Sequence, residues 1–259
     1  MAYIDKRMSE LKSNCIACGR SGKKMNKEHL FPKWLIHKTK TYKTKIRWHE
    51  GKKIPGLVAT LPICEECNTL FGAELESPVA QIFDCLENEK GISDFEAELL
   101  IRWLWKMEGM FWIVNHPNGV YSEKYSLKER VLNPIDEVRS KLVLAISIIQ
   151  TIDFGFEDLP MGIDSVTEID GIFVSGVFSQ IAIMVTLDCF NDLIPNNFST
   201  YNLEENMDEK NTSKIFFPKK GFIDCTEAVG ITKIFSAKLS LAHDKQAMEH
   251  FDNLENNLE

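Results

Sequence analysis

The chain has 259 residues, enough for one large domain or two of ordinary size with a sizeable buried core. Hydrophobic residues make up 44% of it and charged residues 26%, which is normal for a soluble globular protein. The net charge of −8 conceals a split: residues 1–60 contain 15 lysines and arginines against 4 acidic residues, a net of +11, whereas residues 61–259 contain 15 against 34, a net of −19. A basic first quarter is typical of a surface that meets phosphates.

The N-terminal residues 1–14 contain no apolar stretch of the kind that a secretory signal requires. The longest apolar run, residues 171–187, is interrupted by serine and glutamine and alternates as a strand does, which argues against a membrane span. We therefore expect a cytoplasmic protein without membrane association. In a reducing compartment, spaced cysteine pairs bind metal more often than they form disulfides.

Two cysteine pairs of equal spacing, Cys15-x-x-Cys18 and Cys64-x-x-Cys67, lie in polar turns. Four thiolates at these spacings suit one tetrahedral structural Zn²⁺ that ties the two turns together. The alternative is four unrelated thiols, but the repeated spacing favours zinc. The other three cysteines lie in apolar or strand-like surroundings and are predicted to be buried thiols: Cys85, Cys189 and Cys225.

A strand-like passage, residues 41–51, lies between the two cysteine pairs. Its period of two places Lys43, Lys45 and Arg47 on one face and apolar or aromatic residues on the other. Residues 56–63 are the predicted returning strand. A hairpin with one cationic face can lie along a phosphate backbone, so these three side chains are candidate contacts to nucleic acid. The alternative is a solvated edge strand protected by its lysines.

A helix is predicted to begin near Asn68, a good N-cap residue, and to bend or restart at Pro78. The polar, glycine-containing run at 87–93 then marks a domain boundary. We predict an N-terminal domain, residues 1–92, and a C-terminal domain, residues 93–259.

Two capping boxes open helices in the second domain: Ser93 with Glu96, and Ser126 with Glu129. The first helix is strongly apolar and is predicted to form the spine of a second core. The second is predicted to be interrupted by a proline and then to continue to about Ile152.

The pattern changes to strands from residue 166 onward. A hairpin is predicted to turn near Ser175-Gly176, and residues 213–225 and 231–239 could pair with it before a polar helical tail. The predicted fold class is therefore α+β. No motif in the second domain indicates its role.

Acidic, histidine and amide residues lie beside the two cysteine pairs, and the ordered set resembles the HNH (ββα-metal) endonucleases. The similarity is to their zinc-bearing subgroup, whose pattern is CxxC, an acid-His-apolar-x-Pro segment, CxxCN, Phe-Gly and an acid. It covers roughly residues 12–80. In this sequence the elements are the two cysteine pairs, Glu28-His29 with Pro32, Asn68, Phe71-Gly72 and Glu76.

The resemblance implies a zinc-stapled treble-clef, or ββα-metal, unit at the N-terminus. It also implies a role for each of four residues. His29 would be the general base, Glu28 and Glu76 would bind a catalytic divalent cation, and Asn68 would orient the loop or the histidine. Glu76 stands where the family commonly has His or Asn. Because carboxylates favour harder ions, this departure favours Mg²⁺ or Mn²⁺ as the catalytic cation.

The leading hypothesis is therefore a metal-dependent nuclease that cuts DNA, and the resemblance implies a role in bacterial defence against foreign DNA. One alternative keeps the zinc fold as a nucleic-acid-binding module without cleavage. Another is an interaction protein whose C-terminal domain binds a protein partner or forms a homodimer.

Overall fold

The computed structural model describes residues 14–42, 45–47, 53–115, 125–151, 161–165, 172–204 and 214–256. They form a mixed α+β fold, as the sequence predicts. Within these ranges, no helix combines the length and the apolar character that crossing a membrane requires.

The N-terminal part is built on a two-stranded antiparallel ladder. Strand β1 (Met25–His29) pairs with β4 (Thr60–Cys64), with Met25 opposite Cys64 and His29 opposite Thr60. The segment between them contains helix α1 (Lys33–Lys38) and the short antiparallel strands β2 (Lys45–Arg47) and β3 (Lys53–Pro55). Strand β4 leads directly into helix α2 (Glu65–Phe71), a π-helical segment (Gly72–Glu76) and helix α3 (Ser77–Glu87).

Two details of this part differ from the sequence prediction. The strand that returns against β2 is β3, not residues 56–63, because Gly56–Val58 form a 3₁₀ turn and β4 pairs with β1 instead. Helix α2 begins at Glu65 with Cys64 as its N-cap, so Asn68 lies inside the helix rather than at its start.

The two predicted capping boxes are confirmed. Ser93 Oγ accepts a hydrogen bond from the Glu96 amide at 3.3 Å, and the Glu96 carboxylate accepts from the Ser93 amide at 2.7 Å, at the start of helix α4 (Asp94–Asn115). Ser126 and Glu129 make the reciprocal pair for helix α5 (Leu127–Leu132). Each box satisfies backbone donors that the first helical turn leaves without partners.

A six-stranded sheet forms the C-terminal part. Its order is β10 (Lys219–Phe222), β5 (Leu142–Ile149), β8 (Ile181–Leu187), β7 (Val174–Phe178) and β6 (Met161–Ser165), and β9 (Ser199–Asn202) shares the outer edge of β5 with β10. All neighbours are antiparallel except β10 and β5. The short helix α6 (Asp136–Arg139) precedes the sheet and helix α7 (Cys225–Asn256) follows it.

The predicted helix up to Ile152 is wrong, because the helical segment ends in α6 and residues 142–149 form the interior strand β5. Both faces of β5 are covered: Leu144 and Ile146 belong to one apolar cluster, and Ala145 and Ile149 to another. A strand buried on both faces has a continuous apolar sequence, which periodicity does not distinguish from a buried helix.

Two further C-terminal predictions are also corrected. Ser175 and Gly176 lie inside β7, and the chain turns at Ser179-Gln180. Residues 231–239 are helical within α7 rather than a strand.

The larger apolar cluster contains side chains from both sides of the predicted boundary at residue 92. Trp103 of α4 links them, with its ring 6.0 Å from Trp34 of α1, 5.5 Å from Phe83 of α3 and 4.9 Å from Phe178 of β7. The division into residues 1–92 and 93–259 stays a prediction. The packing places α4 directly against the N-terminal part.

Candidate functional site

The first cysteine pair lies in a tight turn that backbone hydrogen bonds hold in place. The Gly19 amide donates to the Cys15 carbonyl at 2.8 Å, and the Cys15 amide donates to the Arg20 carbonyl at 3.0 Å. Gly19 and Gly22 have φ angles of 70° and 71°, a left-handed conformation that glycine adopts without steric cost. This geometry directs the Cys15 and Cys18 side chains toward the second pair.

The second pair lies where β4 becomes α2, and the four sulfurs gather there. Their Sγ atoms all lie within 4.8 Å of one another, and Cys18 Sγ is 4.0 Å from Cys64 Sγ. Tetrahedral zinc with Zn–S bonds of about 2.3 Å separates its sulfurs by about 3.8 Å. The Cys64 amide also donates to Cys15 Sγ at 3.3 Å. The cluster therefore fits a metal ion such as zinc.

The remaining cysteines only partly match the prediction of buried thiols. Cys225 is buried, Cys85 is half-buried and Cys189 is exposed, so the prediction is wrong for Cys189. Cys189 lies in the 3₁₀ turn Asp188–Leu193 at the surface end of β8, where its side chain does not face the core.

Glu28 and Glu76 come together in the structure, and a lysine lies between them. Lys106 Nζ of α4 donates to Glu28 Oε1 at 2.5 Å and to Glu76 Oε1. The side chain of Lys106 is 1% exposed, and both glutamate side chains are 14% exposed. Glu28 comes from β1 and Glu76 from the end of the π-helical segment. Three elements distant in sequence thus converge on one buried charge cluster, which we call the Glu28–Lys106–Glu76 cluster.

Aromatic side chains enclose this cluster. Trp34 Nε1 donates to Glu76 Oε2 at 2.9 Å, and Lys106 Nζ lies 5.4 Å from the centre of the Phe71 ring. Both oxygens of Glu76 therefore accept hydrogen bonds, whereas only Oε1 of Glu28 takes part in the contact with Lys106. The ammonium group of Lys106 occupies the space between the two carboxylates. This space therefore suits a divalent ion less well than it suits the ammonium.

The electrostatics of the cluster follow from its charges and its burial. With all three groups ionised it has a net charge of −1. Burial raises the pKa of Glu28 because it disfavours the charged carboxylate, and the charge and hydrogen bond of Lys106 oppose this effect. Burial acts to lower the pKa of Lys106, but the carboxylates of Glu76 and Glu28 outweigh it and raise that pKa. Lys106 is therefore a charged ammonium in the folded chain.

His29, the predicted base, is the last residue of β1 and is half-buried. Burial and the charge of Lys33 lower its pKa, while a hydrogen bond to the Leu57 backbone acts in the opposite direction. Lys33 also acts to lower the pKa of Glu28, so one exposed ammonium of α1 lies near both side chains. Among the described residues, the four thiols form a group that could hold a metal ion, whereas Glu28, His29 and Glu76 do not form such a group.

The other predicted site residues are less informative. Asn68 is half-buried on α2, one residue after Cys67. Lys43 lies outside the described residues, as do the side chains of Lys45 and Arg47, of which only the backbone in β2 is described. The proposed phosphate contacts of these three residues therefore stay predictions.

Sequence reasoning missed Lys106 and Lys33. Lys106 had a signal: it is a single lysine in the apolar run LLIRWLWKM, and a charge in such a helix needs a partner of opposite sign. Lys33 follows His29 by four residues, but its proximity to Glu28 and His29 depends on where α1 packs.

Helix α4 carries a second buried ionisable residue, Glu108. It is 1% exposed, and its Oε2 atom has no hydrogen-bond partner among the described residues. Burial raises its pKa to about 7, and the charge of Arg130 only partly opposes this effect. Glu108 is thus a titrating group in the core, close to the neutral range.

We expect Glu108→Gln to remove part of the pH dependence of stability. Between the unfolded pKa of 4.5 and the folded value of about 7, the folded chain retains a proton that the unfolded chain releases, so stability is lost as pH rises through this window. Relative to wild type, the variant should gain about 2–3 kcal/mol in unfolding free energy between pH 5 and pH 8. Urea denaturation at both pH values measures this difference. Glu137→Gln, at an exposed position, is the matched control and should show no such gain.

Comparisons with known proteins gave no matching family model, no matching curated protein and no matching solved structure. The resemblance to HNH endonucleases therefore rests on the sequence motif alone.

Proposed function

We propose that the chain is a metal-dependent endonuclease that hydrolyses DNA phosphodiester bonds. The observation that supports it is the convergence of Glu28 and Glu76 from separate elements. His29 follows Glu28 in the sequence, at the end of β1. The HNH resemblance implies that these residues belong to one catalytic site. The β1–β4 ladder, helix α2 and the four-thiol cluster are the parts that we interpret as a zinc-stapled treble-clef, or ββα-metal, unit.

In this proposal His29 is the general base that takes a proton from the attacking water. Its lowered pKa keeps the imidazole neutral near pH 7, as a base requires. The hydrogen bond to the Leu57 backbone engages one ring nitrogen, and in this proposal the other accepts the proton. Asn68 remains the candidate that orients this loop.

Lys33 is well placed to meet the substrate. It is exposed in the first turn of α1 and lies near both Glu28 and His29, so its ammonium can contact a phosphate oxygen. A divalent cation, Mg²⁺ or Mn²⁺, would stabilise the charge that develops on the phosphate and on the leaving oxygen. Glu28, through Oε2, is the carboxylate that remains available to it.

The wider partners are proposals of the same kind. Lys43, Lys45 and Arg47, within the +11 segment, would contact DNA phosphates. The C-terminal domain would bind a protein partner or a second copy of the chain, and a role in defence against foreign DNA fits such a nuclease.

Cleavage assays test the proposed function directly. Supercoiled plasmid, linear duplex, single-stranded DNA and RNA are incubated with the zinc-loaded protein and Mg²⁺, Mn²⁺, Ca²⁺ or excess EDTA. We expect nicking of plasmid with Mg²⁺ or Mn²⁺ and none in EDTA. No cleavage of any substrate by folded, zinc-loaded protein would contradict the proposal.

A second candidate function is a catalytically silent, zinc-dependent module that binds nucleic acid or protein. The specific observation in its favour is that Lys106 forms ion pairs with both carboxylates that the resemblance assigns to the catalytic ion. If the protein slows the migration of plasmid in a gel-shift assay without nicking it, the chain is a binding module and not a nuclease.

A further inference from the structure

We propose that Lys106 is the resident cation of the Glu28–Glu76 pair: its ammonium positions both carboxylates and excludes a divalent ion from the space between them. On this assignment Glu76 is a positioning residue for Lys106 rather than a metal ligand. The inference rests on the proposed function where it treats the two carboxylates as part of a nuclease site. The geometry of the ion pairs does not depend on that function.

The contacts show that the ammonium is enclosed. Lys106 Nζ bonds to one oxygen of each glutamate, lies over the Phe71 ring and belongs to a side chain that is 1% exposed. A divalent ion between the same oxygens would have to displace this ammonium or lie directly against it. Displacement would leave a buried charge without its partners, and this is the arrangement that proteins tolerate least.

Glu76 differs from Glu28 in the way it is held. Its two oxygens accept from Lys106 and from the Trp34 indole, whereas Glu28 uses only Oε1 in the cluster. The indole bond links Glu76 to α1, and the ammonium links it to α4. Glu76 thus joins two helices and the π-helical segment, and π-helical turns are frequent at functional sites.

Removal of the lysine charge should convert the pair into a metal site. Two neighbouring carboxylates without a counter-cation offer hard oxygen ligands and a net charge of −2, which is the chemistry that hard cations prefer. Tb³⁺ is a suitable probe, because it binds oxygen ligands and its emission is sensitised by a nearby indole. Trp34, 2.9 Å from Glu76 Oε2, is placed to sensitise an ion bound there.

The experiment compares Tb³⁺ titrations of zinc-loaded wild type, Lys106→Met and Lys106→Arg, excited through tryptophan. We expect Lys106→Met to bind Tb³⁺ at least about tenfold more tightly than wild type, because a repelling charge has been removed. Lys106→Arg retains the charge and should behave as wild type. In the Lys106→Met background, Glu76→Gln should abolish the new signal. Trp34→Phe should reduce sensitised emission, because the nearest indole is removed, while leaving directly excited emission in place.

If Lys106 only forms a structural ion pair, Lys106→Met should lower stability without any gain in metal affinity. A Lys106→Met chain with wild-type circular dichroism and zinc content but no gain in Tb³⁺ binding would therefore overturn the proposal. If Lys106→Met does not fold, Glu76→Gln in the wild-type background tests the proposal by the same Tb³⁺ titration. Sensitised emission that Glu76→Gln leaves unchanged supports the proposal, and emission that it removes overturns it. No nucleic acid is present, so the result is independent of the cleavage assay.

Discussion

Cys64→Ser should prevent stable folding of the N-terminal part. Cys64 is 2% exposed, is the last residue of β4 and is the N-cap residue of α2. The serine would therefore remove a predicted zinc ligand at the junction of the strand and the helix. Structural zinc contributes about 10–16 kcal/mol of apparent binding free energy, comparable with the total stability of a domain. We expect insoluble or protease-sensitive protein with much less than one zinc per chain, measured by elemental analysis and limited proteolysis.

Cys189→Ser is the matched control, because Cys189 is exposed and distant in sequence from the cluster. It should be soluble and contain one zinc per chain. The claim of a structural metal site would be wrong if wild-type protein, prepared with ample zinc, were well folded but contained no zinc. Chelation gives a second measure: loss of zinc from wild type should increase cleavage by protease within residues 14–64.

The sequence predicted the thiol cluster well because its signal is local. The two pairs have the same spacing, so only their mutual approach needed the fold. The approach of Glu28 to Glu76 was also anticipated, through the resemblance. The occupant of the space between them was not, because Lys106 lies 78 residues from Glu28 and reaches it only through the packing of α4.

The C-terminal fold was less predictable, for reasons visible in β5 and α7. Strand β5 is buried on both faces and gives no alternation, and residues 231–239 have the β-branched and aromatic composition of a strand although tertiary packing makes them helical. The hairpin of β7 and β8 was anticipated, but its turn was not. It is made by Ser179, with a φ of 57°, rather than by the glycine inside β7.

Helix α4 ties the candidate site to the rest of the chain. Trp103 packs against Trp34 and Phe83, while Lys106, one helical turn later, bonds to Glu28 and Glu76. One helix from the predicted second domain therefore supplies both apolar packing and the internal cation to the N-terminal site. A fragment of residues 1–92 would lack both.

His29→Ala is expected to abolish cleavage while leaving the fold and DNA binding nearly intact. Loss of a general base typically costs about 10²–10⁴-fold in rate. His29 is half-buried at the end of β1, and the four cysteines and the Glu28–Lys106–Glu76 cluster remain in the variant, so zinc content and circular dichroism should match wild type. Plasmid nicking under single-turnover conditions measures the rate.

His37→Ala is the matched control for this loss. His37 is exposed on α1, so its removal takes away an imidazole without changing the candidate site, and the rate should stay at the wild-type value. Added imidazole should restore part of the rate to His29→Ala, because a free base can enter the space that the side chain vacates, but should not stimulate His37→Ala. Cutting by His29→Ala at the wild-type rate would show that another group activates the water, and the assignment of His29 as the base would then be wrong.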